Sequence, residues 1–228
     1  MKIKSLIMFS IVTFVLLSNT KTLSANWYAG SQRYEANGVW ANIDTPYNLD
    51  MVTIDQSGES NWVSTYYSDQ YGRSWIQTGW KFFYWYSNPK QYVEWCINCT
   101  DQSGTYEMKD AFANQNWSTQ IDYLVEHITH KQWCAYTNGV LRYCVINLHY
   151  GPTLVMAKSE VSASLMNPLS TYYSQLKYKD PNDGDWKFFD DQRIWHSDFP
   201  YDTEKYSNSN FLAYRTDTEE IFIPLIMR

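Results

Sequence analysis

Charge is scarce in this sequence, and positive charge is scarcer than negative. Lys and Arg together number 18 against 24 Asp and Glu, so the formal net charge is −6. No cluster of Lys or Arg occurs along the chain. A negatively charged protein without a basic patch repels a phosphate backbone, so we expect no nucleic-acid partner.

Long apolar runs are missing beyond the N-terminus. The chain opens with a basic start, an apolar run over 6–17 and a stretch of small residues ending near Ala25. This pattern is typical of a secretory signal peptide and is too short for a stable membrane span. No linker, low-complexity block or repeat divides the remainder. We therefore predict a signal peptide over 1–25 and a single domain over 26–228 that is secreted, monomeric and without a membrane span.

The familiar hydrolase motifs are absent as well. The sequence has no GxSxG, no HExxH, no glycine-rich phosphate loop and no Cys/His nucleophile pattern. His127 and His130 are three residues apart, which in a strand sends them to opposite faces and prevents a shared metal. His149 and His196 have no partner that spacing identifies. Serine, cysteine and metal-dependent hydrolysis are all disfavoured, and we expect no metal or cofactor.

Only four cysteines occur, which in an exported chain predicts two disulfides. Of the three possible pairings, the local one is favoured: Cys96 with Cys99, and Cys134 with Cys144. The second pair flanks a hairpin with an Asn-Gly turn signal. A two-residue turn would place Cys134 opposite Tyr143, so this bridge requires a longer turn or a bulge. A zinc site is less favoured because no second CxxC is present.

Aromatic residues are abundant, with 11 Trp, 20 Tyr and 10 Phe. One small core does not need so many rings, so some should line a cleft that binds peptide or sugar. β-Branched and aromatic residues alternate in many short segments separated by turn clusters such as DQSGES and NDGD. The pattern predicts an all-β fold, an antiparallel β-sandwich or jelly roll of two packed sheets. The best helix candidate is 108–116.

Alternation also predicts which faces the polar residues occupy. In RSWIQTGWKFFYW, residues 73–85, Gln77 and Trp75 lie on the more polar face of the strand. In the strand that starts at Val155, every second residue is small and apolar, which turns Glu160 to the face away from the main core.

Carboxylates remain as candidate acid and base groups, namely Glu94 in YVEW, Glu160 and Glu204. An ionised Glu160 could take a proton from a water that attacks a peptide carbonyl, and then protonate the leaving amine. A fixed amide such as Gln77 could donate a hydrogen bond to the developing oxyanion.

Four short words, NWVS, WIQTGW, YVEW and AKSEV, resemble in their order the elements of the eqolisins, the secreted glutamic peptidases. The resemblance implies a β-sandwich of two long antiparallel sheets and an acid endopeptidase acting on polypeptides. Its catalytic dyad would be Gln77 and Glu160.

The same resemblance implies the walls of the cleft. Trp62 matches a cleft tryptophan, and Tyr92, Glu94 and Trp95 match a segment that lines the cleft. We also expect Trp75 to lie there, beside Gln77.

The sequence departs from the eqolisin pattern at Tyr66 and Lys81, where that family has acidic residues near the dyad. GVWANIDT and the close cysteine pair also resemble neprosin-like domains, which carry Glu where this chain has Gln77.

Two other functions fit the composition. A non-catalytic, lectin-like secreted sandwich would stack its aromatic rings on a polysaccharide. A jelly-roll glycoside hydrolase would use Glu94 and Glu160 as its two carboxylates, separated by roughly 5–5.5 Å for retention or 6.5–9.5 Å for inversion.

Overall fold

The computed structural model describes residues 27–46, 58–83, 86–100, 105–162, 170–189 and 194–216. The predicted signal peptide over 1–25 lies outside these ranges. The described residues form β-strands joined by turns and loops, and none of them is helical. In this part of the chain, accordingly, no helix is long and apolar enough to cross a membrane.

The strands follow one another along the whole described chain. In order they are β1 (Trp27–Ala36), β2 (Gly38–Asp44), β3 (Gly58–Asp69), β4 (Gly72–Phe83), β5 (Lys90–Cys99), β6 (Thr105–Asn114), β7 (Gln120–Thr129), β8 (Gln132–Thr137), β9 (Val140–Val145), β10 (Thr153–Val161), β11 (Thr171–Lys179), β12 (Trp186–Phe188), β13 (Ile194–Ser197), β14 (Tyr201–Lys205) and β15 (Phe211–Arg215).

Within the described residues, these strands make two antiparallel sheets. The first has the order β13-β1-β10-β3-β4-β5-β6, and the second has the order β14-β15-β11-β2-β7-β8-β9 with β12 paired to β11. Side chains from both sheets form one continuous buried core between them. The predicted antiparallel sandwich of two packed sheets is therefore confirmed.

Strand β4 illustrates why these residues form this sandwich. Ile76 and Trp80, which lie on its even-numbered face, are fully buried in the core between the sheets. The Trp80 indole donates a hydrogen bond of 3.1 Å to the Asp44 carbonyl, which satisfies its one polar group. Burying an indole of this size contributes roughly 5 kcal/mol of transfer free energy. A one-residue slip of β4 would exchange these residues for Gln77 and Lys81.

The expectation of a helix over 108–116 is wrong, because most of this segment belongs to β6. The strand pairs with β5 in register, with Met108 opposite Glu94 and Lys109 opposite Val93. Met, Lys and Ala are good helix formers, but helix propensity amounts to less than about 1 kcal/mol per residue, whereas an open strand edge offers a ladder of hydrogen bonds. Tertiary pairing therefore overrides local propensity here.

Both predicted disulfides are confirmed, Cys96–Cys99 and Cys134–Cys144. In the β8–β9 hairpin, the Asn and Gly of the turn have φ of 49° and 70°, as a tight primed turn requires. The register shifts after Ala135, so that Cys134 pairs with Cys144. The cysteine spacing predicted a longer turn or a bulge, and the structure has the bulge.

Candidate active site

A cleft of about 980 Å³ lies on the face of the first sheet that is turned away from the second. It is floored by a second, smaller apolar cluster that includes Trp62 and Met156. Strands β3, β4, β5 and β10 bring most of the predicted site residues to this cleft. Those that line it are Trp62, Trp75, Gln77, Glu94 and Glu160.

Cross-strand register determines how far apart these groups lie along the cleft. Gln77 is directly opposite Glu94 on β5 and opposite Ser64 on β3. Glu160 is opposite Ser60, which in turn is opposite Lys81. Gln77 and Glu160 therefore lie on the same face of the sheet, on the two strands that flank β3. Their partners on β3, Ser64 and Ser60, are four residues apart. A molecule that touches both must lie across β3.

Two predicted cleft residues do not line the cleft. Tyr92 is 1% exposed and belongs to the apolar cluster of Trp62 and Met156, where its hydroxyl accepts a hydrogen bond from Gln77. Trp95 is buried in the core between the sheets, stacked on Tyr143 at 4.2 Å between ring centroids. Glu94 faces the cleft, so its neighbour in the strand must face the core. This placement corrects the expectation that Trp95 contacts a substrate.

The Gln77 side chain is fixed by two hydrogen bonds. Its amide nitrogen donates to the Tyr92 hydroxyl at 3.1 Å and to Glu94 Oε2 at 3.0 Å. A primary amide has two hydrogens, so these bonds use both of them. Gln77 can donate to an oxyanion only by exchanging one of the two.

Tyr92 contacts Gln77 and lies close to both Glu94 and Glu160. Burial raises the pKa of its phenol well above the ordinary value, and the negative charges of Glu94 and Glu160 raise it further. The phenol is therefore neutral over the whole acid and neutral range. A neutral hydroxyl is a weaker hydrogen-bond acceptor than a carboxylate, so its bond from Gln77 is weaker than the one to Glu94.

Lys81 lies beneath the cleft, 2% exposed, with its ammonium 3.4 Å from Glu94 Oε1. It also lies over the Tyr92 ring, 5.0 Å from the centroid. A cation so close to a largely buried carboxylate favours the ionised form of that carboxylate. Lys81 therefore supplies Glu94 with a counter-charge.

Glu160 is oriented by donors from two other strands. The Tyr28 hydroxyl donates to Oε1 at 3.2 Å, and the Trp62 indole N–H donates to Oε2 at 3.1 Å. Trp62 thus does more than supply an apolar wall. Sequence analysis missed Tyr28 because it lies in β1, 132 residues from its partner.

A group of charged residues beside Glu160 was also missed. Lys158 Nζ lies 2.7 Å from His196 Nδ1, and His196 Nε2 lies 3.3 Å from Asp198 Oδ1. Lys158 and His196 both line the cleft. The alternation of β10 did place Lys158 on the face of Glu160, but no spacing in the sequence could connect it to His196.

Over the ranges that the structure describes, no group of three or more His, Cys, Asp or Glu side chains is placed to hold a metal ion.

No protein-family model and no curated protein sequence matches this chain. Solved structures do match its fold. Scytalido-glutamic peptidase, solved with a transition state analog inhibitor, has a TM-score of 0.61 at 14% identity, over 83% of this chain and 98% of that one. SCP-B, a member of the eqolisin family of peptidases solved with the tripeptide Ala-Ile-His, has a TM-score of 0.57 at 13% identity, over 83% and 98%.

A β-glucanase of Bacillus licheniformis also aligns, at 11% identity over 83% of this chain and 77% of that one, but its TM-score of 0.41 is too low to support an inference. The matches to scytalido-glutamic peptidase and SCP-B show that the chain has the fold of the glutamic peptidases, as the four short words implied. The resemblance to neprosin-like domains stays a prediction.

Proposed function

We propose that this chain is an acid endopeptidase in which Glu160 activates a water molecule and Gln77 stabilises the oxyanion. The observation that supports this most directly is the cleft itself, since both side chains line it on one face of the first sheet. The fold is consistent with the proposal, because two scytalido-glutamic peptidase structures that share it hold transition state analogues.

Glu160 has the contacts that a carboxylate base needs. Tyr28 and Trp62 each donate to a different oxygen, and a carboxylate has about four acceptor positions. These bonds therefore orient the group. In the proposed reaction, Glu160 removes a proton from water as the water oxygen bonds to the scissile carbonyl carbon. The proton then passes to the leaving amine as the C–N bond breaks, which regenerates the carboxylate.

Gln77 enters this reaction by exchanging a hydrogen bond. A developing oxyanion is a stronger acceptor than the neutral Tyr92 hydroxyl. The bond from Gln77 to Tyr92 is therefore the one that the oxyanion replaces, while the bond to Glu94 keeps the amide in place. Preorganised donation of this kind typically accounts for about a hundredfold or more in rate.

The proposal implies activity in acid. A carboxylate base works best when the pH is near its own pKa, and an ordinary glutamic acid has a pKa of about 4.3. We expect the rate to peak at roughly pH 3–5. Trp62 and Trp75, which line the cleft, provide flat apolar walls for an extended polypeptide.

The proposed place of action is outside the cell. The basic and apolar N-terminal sequence and two disulfides support it, since disulfides persist in oxidising compartments.

The test is digestion of an unfolded protein such as casein from pH 2 to 7, followed by mass spectrometry of the products. Glu160→Gln and Gln77→Ala should each lower kcat/KM by about a hundredfold or more while the protein stays folded. Glu94→Gln should have a smaller effect. Glu204→Gln, an exposed carboxylate on β14, is the matched control and should leave the rate unchanged.

Other outcomes would select the other functions. A protein that cleaves no polypeptide at any pH yet is retained on a polysaccharide column is a binding module. Polysaccharide hydrolysis that Glu94→Gln and Glu160→Gln abolish equally would identify a glycoside hydrolase.

A further inference from the structure

Lys158 occupies an unusual place in the cleft for a lysine. Its side chain is 5% exposed and crosses β1 to reach His196 on β13. The crossing is possible because Gly30 lies opposite Lys158, and a Cβ there would lie 2.6 Å from Lys158 Cγ. Gly30 thus leaves the space that the Lys158 side chain occupies.

The hydrogen bonds around Lys158 determine the proton positions. An ammonium only donates, so His196 Nδ1 must accept the 2.7 Å bond, and the neutral ring then carries its proton on Nε2. That nitrogen faces Asp198 Oδ1 at 3.3 Å, and Asp198 Oδ2 accepts the backbone N–H of Tyr28 at 2.9 Å. Asp198 therefore orients the His196 ring, and the ring positions the Lys158 ammonium.

Lys158 carries its charge throughout the acid and neutral range. Burial lowers the pKa of its ammonium to about 8, and the charges of Asp198 and Glu160 oppose that shift. Its ring neighbours are Tyr28, 5.8 Å away on β1, and His196. Of its three N–H groups, one is used by His196, which is the only hydrogen-bond partner that the described ranges give Lys158 Nζ.

The other two N–H groups of the Lys158 ammonium can donate to an anion in the cleft. An anion placed there would accept a charge-assisted hydrogen bond from Lys158.

We propose that Lys158 and His196 form a carboxylate-binding subsite two residues along β10 from Glu160, and that the preferred substrates are peptides with a carboxylate close to the scissile bond. This inference rests on the proposed peptidase function. The carboxylate can belong to an Asp or Glu side chain or to the C-terminus of the peptide, and the Lys158 ammonium would bind either.

The experiment compares matched peptides with the full-length protein. One arm places Glu or Gln at each position flanking the cleaved bond, and the other compares a free C-terminus with its amide. We expect kcat/KM to be about tenfold or more higher for one carboxylate member than for its neutral partner, as a charge-assisted bond predicts. For the side-chain arm, this ratio should rise from pH 3 to 5.5, as the peptide carboxyl ionises near its ordinary pKa of about 4.3.

Variants assign the effect to the subsite. Lys158→Met, an apolar chain of similar length, should bring the ratio to about one. Lys158→Arg should retain part of the preference. Lys205→Met, which removes an exposed lysine of β14, should leave it intact. Equal rates for charged and neutral peptides in the unmodified protein would overturn the proposal, and that comparison requires no variant.

A binding measurement separates this proposal from the peptidase assignment. Calorimetry of the same peptides with Glu160→Gln protein needs no turnover, so it gives a result even if nothing is cleaved. Tighter binding of the carboxylate members there, lost in Lys158→Met with Glu160→Gln, supports the subsite. Equal binding of all members overturns it.

Discussion

Replacing His149 with glutamine is expected to reduce the loss of folding stability that occurs as the pH falls from 7 to 4. His149 is buried at the end of the β9–β10 connection, 3% exposed, with its ring stacked on Tyr67 and tilted against Trp133. Its Nδ1 faces the Tyr150 carbonyl at 3.1 Å, so this nitrogen carries the proton of the neutral ring. Its Nε2 is then free to accept from the Thr65 hydroxyl at 3.3 Å.

The magnitude follows from the cost of charging this ring inside the protein. Burial lowers the pKa of His149 from 6.5 to about 4, although the Tyr150 bond works in the opposite direction. Between these two pKa values, His149 is protonated in the unfolded chain but neutral in the folded protein. The free energy of unfolding therefore falls as the pH falls. The difference corresponds to about 3 kcal/mol, present above pH 6.5 and lost by pH 4.

The assay is urea denaturation at pH 7, 6, 5 and 4, followed by tryptophan fluorescence. The glutamine variant should be less stable at pH 7, and its disadvantage should shrink by about 3 kcal/mol by pH 4. His130→Gln, an exposed histidine, is the control and should change the profile little. A gap between His149→Gln and the unmodified protein that stays constant with pH would refute a neutral buried ring. The proposed function makes this relevant, since it requires a protein that remains folded in acid.

Two further predictions concern charge and cross-linking. Lys81→Met removes the cation 3.4 Å from Glu94 and should lower stability by about 3 kcal/mol at pH 7. The loss should be smaller in acid, because a protonated Glu94 no longer attracts the cation, and equal losses at every pH would contradict the ion pair. Replacing Cys134 and Cys144 with Ser opens a link between residues 10 apart and should lower stability by about 3 kcal/mol, measured by thermal unfolding. An unchanged midpoint would show that this disulfide adds nothing to stability.

Alternation along single strands was sufficient to predict much of the site. It turned Gln77 away from Ile76 and Trp80, and Glu160 away from Val155, and the structure has each on the expected face. The reason is geometric, because successive side chains of a strand point to opposite faces whatever the strand pairs with. Trp95 shows the limit of resemblance, since the same alternation that turns Glu94 to the cleft turns Trp95 to the core.

The sequence by itself therefore determined the fold class, the local disulfides with their bulge, and the face on which each polar residue lies. Only the tertiary structure decided which residues on that face meet. The bonds from Tyr28 to Glu160 and from Lys158 to His196 join strands that are 132 and 38 residues apart in the chain. Such contacts depend on strand order and register, which arise from long-range backbone pairing and core packing and not from the periodicity of any one strand.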